Sequence, residues 1–172
     1  MLRQALLTLL LATSIAIAGE VGDSVKVDLE DVVEQGEVSP VGGISSAGQP
    51  DEAALSVFAD SGYVAVIDMR TAGENRGMDE VAAVERLGME YVAFPIGTSD
   101  ITLERAGELD ALLEQYDGPV LLHCGSANRV GALLALREFL DTGDAEQALQ
   151  TGRDGGLTGL EGKVKEVLDA AK

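Results

Sequence analysis

Cys124 is the only cysteine of the chain, and Arg129 follows it after four small or polar residues, Gly125, Ser126, Ala127 and Asn128. The segment Val120-Leu-Leu-His-Cys-Gly-Ser-Ala-Asn-Arg-Val-Gly131 reads as a buried strand that runs into a loop and then a helix. In that topology successive backbone N–H groups turn inward, and the positive end of the helix points at the same spot, which makes a cradle for an anion. The helix end and Arg129 both favour the thiolate, the form of cysteine that attacks electrophiles. Arg129 can hold a tetrahedral oxyanion through two parallel hydrogen bonds, a geometry that lysine lacks. Most free cysteines are small buried hydrophobes. The position at the C-terminal edge of a strand, where open α/β sheets bind ligands, favours chemistry here instead.

Composition removes competing chemistries. One His and one Cys cannot build a zinc site of the usual three or four protein ligands, so no metal and no other cofactor is expected. His123 precedes Cys124 on a strand, so the two side chains point to opposite faces and cannot form the nucleophile and base of a cysteine protease. His123 is expected either to hydrogen-bond nearby backbone and shape the loop or to serve the core alone. The formal charge of −18 repels nucleic acid and anionic lipid, which excludes both as partners, and reads as a device for solubility or for a salty exterior.

The elements that must position Cys124 follow from punctuation and period. Residues 1–18 fit a secretory signal, with Arg3 in the n-region, an apolar stretch from Leu6 to Ile17 and a small-x-small site at Ala16-Ile17-Ala18, so the mature chain is expected to start at Gly19 and to be periplasmic or secreted, without membrane insertion. Residues 19–43 read as a flexible lead-in, and residues 44–172 as one domain. A helix is expected after Gln49-Pro50 with Leu55, Phe58 and Ala59 inward, and a strand over Val64 to Met69. A second helix spans about Asp79 to Leu87 with Val81 and Val84 inward, and a second strand covers Tyr91 to Phe94. A helix from Thr102 precedes the apolar strand Val120 to Leu122, and helices over Val130 to Leu140, Ala145 to Gln150 and Leu160 to Ala171 close the chain. Alternating strands and helices imply an α/β fold of three layers, α/β/α, around a mainly parallel sheet with right-handed crossovers.

At His-Cys-x4-Arg-x-Gly the chain resembles the cysteine-dependent protein tyrosine and dual-specificity phosphatases, and more closely the bacterial beta-lactamase-hydrolase-like, phosphatase-like domain family. The likeness spans about residues 44 to 140 and includes Ser45-Ser46-Ala47-Gly48-Gln49-Pro50, Val66-Ile67-Asp68-Met69-Arg70 with Glu74, and Asn128-Arg129-Val130-Gly131-Ala132-Leu133. It implies that Cys124 is the nucleophile of a phosphate monoester hydrolase, with Arg129 and the amides of Gly125, Ser126, Ala127 and Asn128 as the oxyanion clamp. The implied substrate is a phosphorylated small anion or a phosphoprotein. A loop acid would protonate the leaving group, and Asp100 in Pro95-Ile-Gly-Thr-Ser-Asp100 stands at the matching place, although a turn or cap carboxylate explains it equally. Arg70 and Glu74 match a family pair: Arg70 is expected to approach the pocket, or to make a salt bridge with Glu74 that supports the site.

Two departures from the superfamily keep other readings open. Ordinary members place five residues between Cys and Arg. The spacing of four is that of rhodanese-type sulfurtransferases, so a Cys124 persulfide acting on a sulfur-containing anion is a second reading. Val130 stands where typical phosphatases carry a Ser or Thr whose hydroxyl helps the thiolate leave, which favours slow turnover or a binding module without catalysis.

Overall fold

The computed structural model describes residues 25–171. The expected signal segment and its cleavage site lie outside the described residues. Four strands, β1 (Ile44–Ala47), β2 (Ala65–Asp68), β3 (Glu90–Ala93) and β4 (Val120–His123), form one sheet in the order β1-β4-β2-β3, and every neighbouring pair is parallel. β4 lies between β1 and β2 with all four residues buried, which is why its sequence shows no polar alternation.

Seven helices are described: α1 (Leu29–Gln35), α2 (Glu52–Asp60), α3 (Glu80–Arg86), α4 (Leu103–Leu113), α5 (Asn128–Thr142), α6 (Ala145–Asp154) and α7 (Glu161–Ala170). Asp28, Asp51, Asp79, Thr102 and Asp144 each accept an N–H from the first turn of the helix that follows, so five helix starts are set by local sequence. Adjacent strand residues face opposite sides of the sheet. Val66 and Leu121 pack with Leu55 and Phe58 of α2 and Val84 of α3. On the other side Ile67 and Leu122 pack with Leu109 of α4, Leu133 and Leu136 of α5 and Leu168 of α7. The architecture is thus the expected three-layer α/β/α arrangement.

Two local expectations need correction, and one strand was not anticipated. Residues 25–43, read as a flexible lead-in, carry α1, whose Val32 is buried in the cluster with α2. Ile44–Ala47 shows too few apolar residues to read as a strand, yet β1 is fully buried because its serines are satisfied: the Ser45 and Tyr63 hydroxyls bond at 2.5 Å, and Ser46 Oγ donates to the Gly155 carbonyl at 2.7 Å. Val81 was expected inward but is exposed, because Glu80 and Ala83 share the inner face of α3 with Val84. The inner place taken by a glutamate belongs to the site described next.

Candidate active site

β4 ends at His123, and Cys124, which is 1% exposed, opens the loop that joins β4 to α5. The end of β1 runs alongside: Cys124 N–H donates to Ala47 O at 3.4 Å, and Gly48 bridges Ser126. Gly125 and Ser126 face solvent, whereas Ala127 is fully buried and adopts φ 65°. Among the described residues it is the one non-glycine with positive φ, a conformation that costs an alanine about 1 kcal/mol and often marks a loop shaped for function. This turn brings the chain into α5 at Asn128, so Arg129 stands in the first turn of the helix, whose leading N–H groups have no partner within the helix. Val130 is fully buried in the core and offers no hydroxyl to the loop.

Arg129 is held end-on. Its Nη1 and Nη2 donate to Glu74 Oε1 and Oε2, each at 2.6 Å, and Nη1 also approaches the carbonyls of Met69 and Ile96 at 3.3 Å. Glu74 is itself held from behind, accepting from Thr71 N–H at 2.7 Å and Thr71 Oγ1 at 3.0 Å. The hydrogen bonds from Arg129, opposed by partial burial and helped by Thr71, push the Glu74 carboxyl down to about 2. Reciprocally, Glu74 raises Arg129 against its own burial, with the nearby Cys124 sulfur adding to the effect. The bonds that hold the Glu74 carboxylate ionised also fix its two oxygens on Arg129, so Glu74 is placed to orient the guanidinium. The Nε edge of the guanidinium donates to no protein oxygen among the described hydrogen bonds, and this edge is the one available to an oxyanion beside Cys124.

Arg70 departs from expectation. It is 1% exposed and donates to Asp68 through its backbone N–H at 2.8 Å, through Nε at 2.8 Å and through Nη2 at 2.9 Å, while Nη2 also pairs with Glu80. Asp68 and Arg70 are two residues apart at the end of β2 and lie under the first turn of α3, so Arg70 meets Glu80 rather than Glu74 or the cradle. The expected roles for Arg70, in substrate binding or in a pair with Glu74, are therefore not those it takes.

His123 belongs to the same buried cluster. Its Nε2 lies 2.7 Å from Glu80 Oε1 and 3.7 Å from Asp68 Oδ1, and neither ring nitrogen bonds backbone, so of the two expected roles the fully buried ring takes the one in the core. Burial works against the Asp68 carboxylate, but the bonds from Arg70, the nearby His123 and the Tyr91 hydroxyl at 2.8 Å together hold it well below the ordinary carboxyl range. Asp68, Glu80 and His123 offer ligand atoms within 4.8 Å of one another. The Arg70 guanidinium already pairs with both carboxylates and takes the place a cation would need, so the cluster does not fit a metal.

Asp100 closes a turn of 3-10 helix, Thr98–Asp100, where its Oδ2 accepts Gly97 N–H at 2.8 Å. The same loop reaches Arg129 through the Ile96 carbonyl. It is braced by Arg105, which donates to Pro95 O at 3.2 Å and lies 4.1 Å from the Phe94 ring centroid. The loop is therefore next to the cradle, with the Asp100 carboxylate engaged in its own turn. The Asn128 side chain, about which the expected role of its backbone amide said nothing, is engaged elsewhere, accepting Thr158 N–H at 2.8 Å and Leu160 N–H at 3.3 Å. Sequence reasoning missed Asp68 and Glu80. Asp68 had a signal, a carboxylate at the end of an otherwise apolar strand and two residues before an arginine.

Comparison with known proteins places this geometry in a family. The model for the "Beta-lactamase hydrolase-like protein, phosphatase-like domain" family matches residues 38–140. Two curated relatives, beta-lactamase hydrolase-like proteins of two Xylella fastidiosa strains, are each 33% identical over 102 residues, which is 57% of this chain and 24% of theirs. The chain thus matches about a quarter of the length of those relatives. Among solved structures, a candidate phosphatase from Neisseria meningitidis aligns with a TM-score of 0.64 at 21% identity, covering 75% of this chain and 93% of that one. A candidate phosphatase from Shewanella putrefaciens aligns at 0.57 with 22% identity, covering 78% and 87%. A kinase associated phosphatase, solved with its catalytic-site cysteine changed to serine, aligns at 0.57 with 18% identity, covering 81% and 92%. At these identities the solved structures share the fold.

Proposed function

The chain belongs to the family of beta-lactamase hydrolase-like protein, phosphatase-like domains, and from that premise we propose that it is a cysteine-dependent hydrolase of phosphate monoesters. The Cys124 thiolate attacks phosphorus, an S–P bond forms, and the bond from phosphorus to the leaving oxygen breaks. Arg129 and the loop amides from Gly125 to Asn128 hold the equatorial oxygens. Asp100 protonates the leaving oxygen once its bond to Gly97 N–H is given up, and water then attacks the phosphocysteine to release phosphate and the thiolate. The observation that carries this reading is the end-on grip of Glu74 on Arg129, which leaves the Nε edge of the fork for the oxyanion beside a buried cysteine. Substrates are phosphorylated small anions or phosphoproteins, and the Arg3 and Ala16-Ile17-Ala18 pattern favours a periplasmic or secreted site of action.

The four-residue loop favours one second reading, sulfur transfer through a Cys124 persulfide. Incubation with an aryl phosphate and, separately, with thiosulfate distinguishes the two, read by mass spectrometry of the tryptic peptide that contains Cys124. A phosphoryl adduct with phosphate release is the expected result. A single sulfur adduct that transfers rapidly to cyanide, without phosphate release, would replace the phosphatase reading. With neither adduct, the loop is a binding module.

A further inference from the structure

The cradle is gripped from two sides, and only one of them lies in the stretch that matches the family. β1 and Gly48 run along one side, within the matched residues 38–140. On the other side stands the turn between α6 and α7, residues 155–160, which lies beyond that stretch. Three independent contacts fasten it. Asn128 Oδ1 accepts the N–H groups of Thr158 and Leu160. Ser46 Oγ, fully buried, donates to the Gly155 carbonyl at 2.7 Å. Gly156, at φ 100°, lets the turn approach so closely that a Cβ there would come within 2.6 Å of the Ala127 Cβ.

Ala127 is the residue whose left-handed conformation bends the loop into α5. A chain in that conformation relaxes unless its surroundings hold it. The turn presses on Ala127 and ties down Asn128, the two residues immediately before Arg129. We propose that residues 155–160 are a positioning clamp for the oxyanion loop, with Asn128 as the side chain that couples the clamp to the cradle. The proposal rests on the loop being an oxyanion cradle. Asn128 acts in it through the backbone of the loop, its amide facing the anion while its side chain faces the clamp.

The test compares Asn128→Ala and Gly156→Ala with Gly162→Ala, a control in α7 whose added methyl meets nothing within 4 Å. Calorimetric titration with tungstate should show affinity about tenfold weaker in Asn128→Ala and in Gly156→Ala, and unchanged in Gly162→Ala. The double variant should lose less than the sum of the two, because both act through one contact. Hydrogen exchange, which needs no ligand, should rise together in peptides covering 124–130 and 155–160 in Asn128→Ala, by about tenfold. Gly156→Ala can fail to fold because its φ suits only glycine; Asn128→Ala removes one acceptor and keeps the fold, so it decides alone. Wild-type affinity for tungstate in Asn128→Ala would overturn the clamp, as would unchanged exchange in 124–130. If the wild type itself binds no tungstate, the cradle reading fails instead, and the exchange measurement still shows whether the turn holds the loop.

Discussion

Two ionic groups flank Cys124, and they differ in what surrounds them. Arg129 with Glu74 lies at the rim, where the two side chains keep 18% and 33% of their exposure. Asp68, Arg70, Glu80 and His123 lie underneath, each at 1% or less. A charge pair open to water contributes little to stability, and under the proposed function its value is orientation: a guanidinium already held end-on would meet an oxyanion without reorganising. A buried pair is different. Each ion gave up its hydration, so the cluster adds modestly at best while intact and costs heavily when one partner is missing. The rim is therefore expected to govern reaction and the floor to govern folding, and substitutions that separate the two test the division.

The largest effect is expected on the floor. Arg70→Leu removes the buried cation that Asp68 and Glu80 share and leaves Asp68 only the more exposed Arg76, whose Nε lies 3.3 Å from Oδ2, which should lower the unfolding free energy by about 3–5 kcal/mol, a large part of a typical domain's total. Urea denaturation measures the loss, and activity per folded molecule should fall by less than about threefold. A specific activity that collapsed in the folded fraction would erase the division between floor and rim. At the rim the pattern reverses. Arg129→Lys keeps the charge but loses the planar fork, so kcat/KM on an aryl phosphate should drop about a hundredfold, with stability changed by about 1 kcal/mol or less. A large stability loss with little kinetic effect would assign Arg129 to the scaffold.

The contrast also explains what could be read in the sequence. The strand, loop and helix that carry Cys124 and Arg129 were legible, because these residues and the small ones between them are contiguous, whereas the Glu74 partner of Arg129 was not. The alternation of apolar strands and capped helices likewise fixed the three layers. The floor was not legible, since it joins the end of β2, the first turn of α3 and the end of β4, and spacing along the chain does not say which carboxylate meets Arg70. Glu74 and Glu80 stand four and ten residues from it, and the nearer was the natural partner. Tertiary packing chose the farther one for Arg70 and gave Glu74 to Arg129. β1 was missed for a related reason: its two serines look solvent-facing until Tyr63 and Gly155 supply their partners.

The smallest expected effect is also the sharpest on the rim, since it removes the Glu74 charge and keeps its shape. Glu74→Gln should lower kcat/KM by about tenfold, because Arg129 loses orientation but no contact with the oxyanion. Its effect on stability should depend on pH in a defined window. In the unfolded chain Glu74 has its ordinary value of 4.5, and in the folded chain the Arg129 bonds, with help from Thr71 and against partial burial, push it down to about 2. A carboxyl depressed by folding contributes stability that is complete above the unfolded value and is lost as pH falls through the folded one. The difference in unfolding free energy between wild type and Glu74→Gln, screened by solvent to about 1 kcal/mol, should thus stay level from pH 7 to about 4.5 and shrink toward zero near pH 2. Asp68 is depressed further still, so the penalty of Arg70→Leu should persist to lower pH than that of Glu74→Gln. Urea titrations at a series of pH values measure both curves. If the two penalties decayed together, rim and floor would be one electrostatic unit, and the separate roles assigned to them would have to be abandoned.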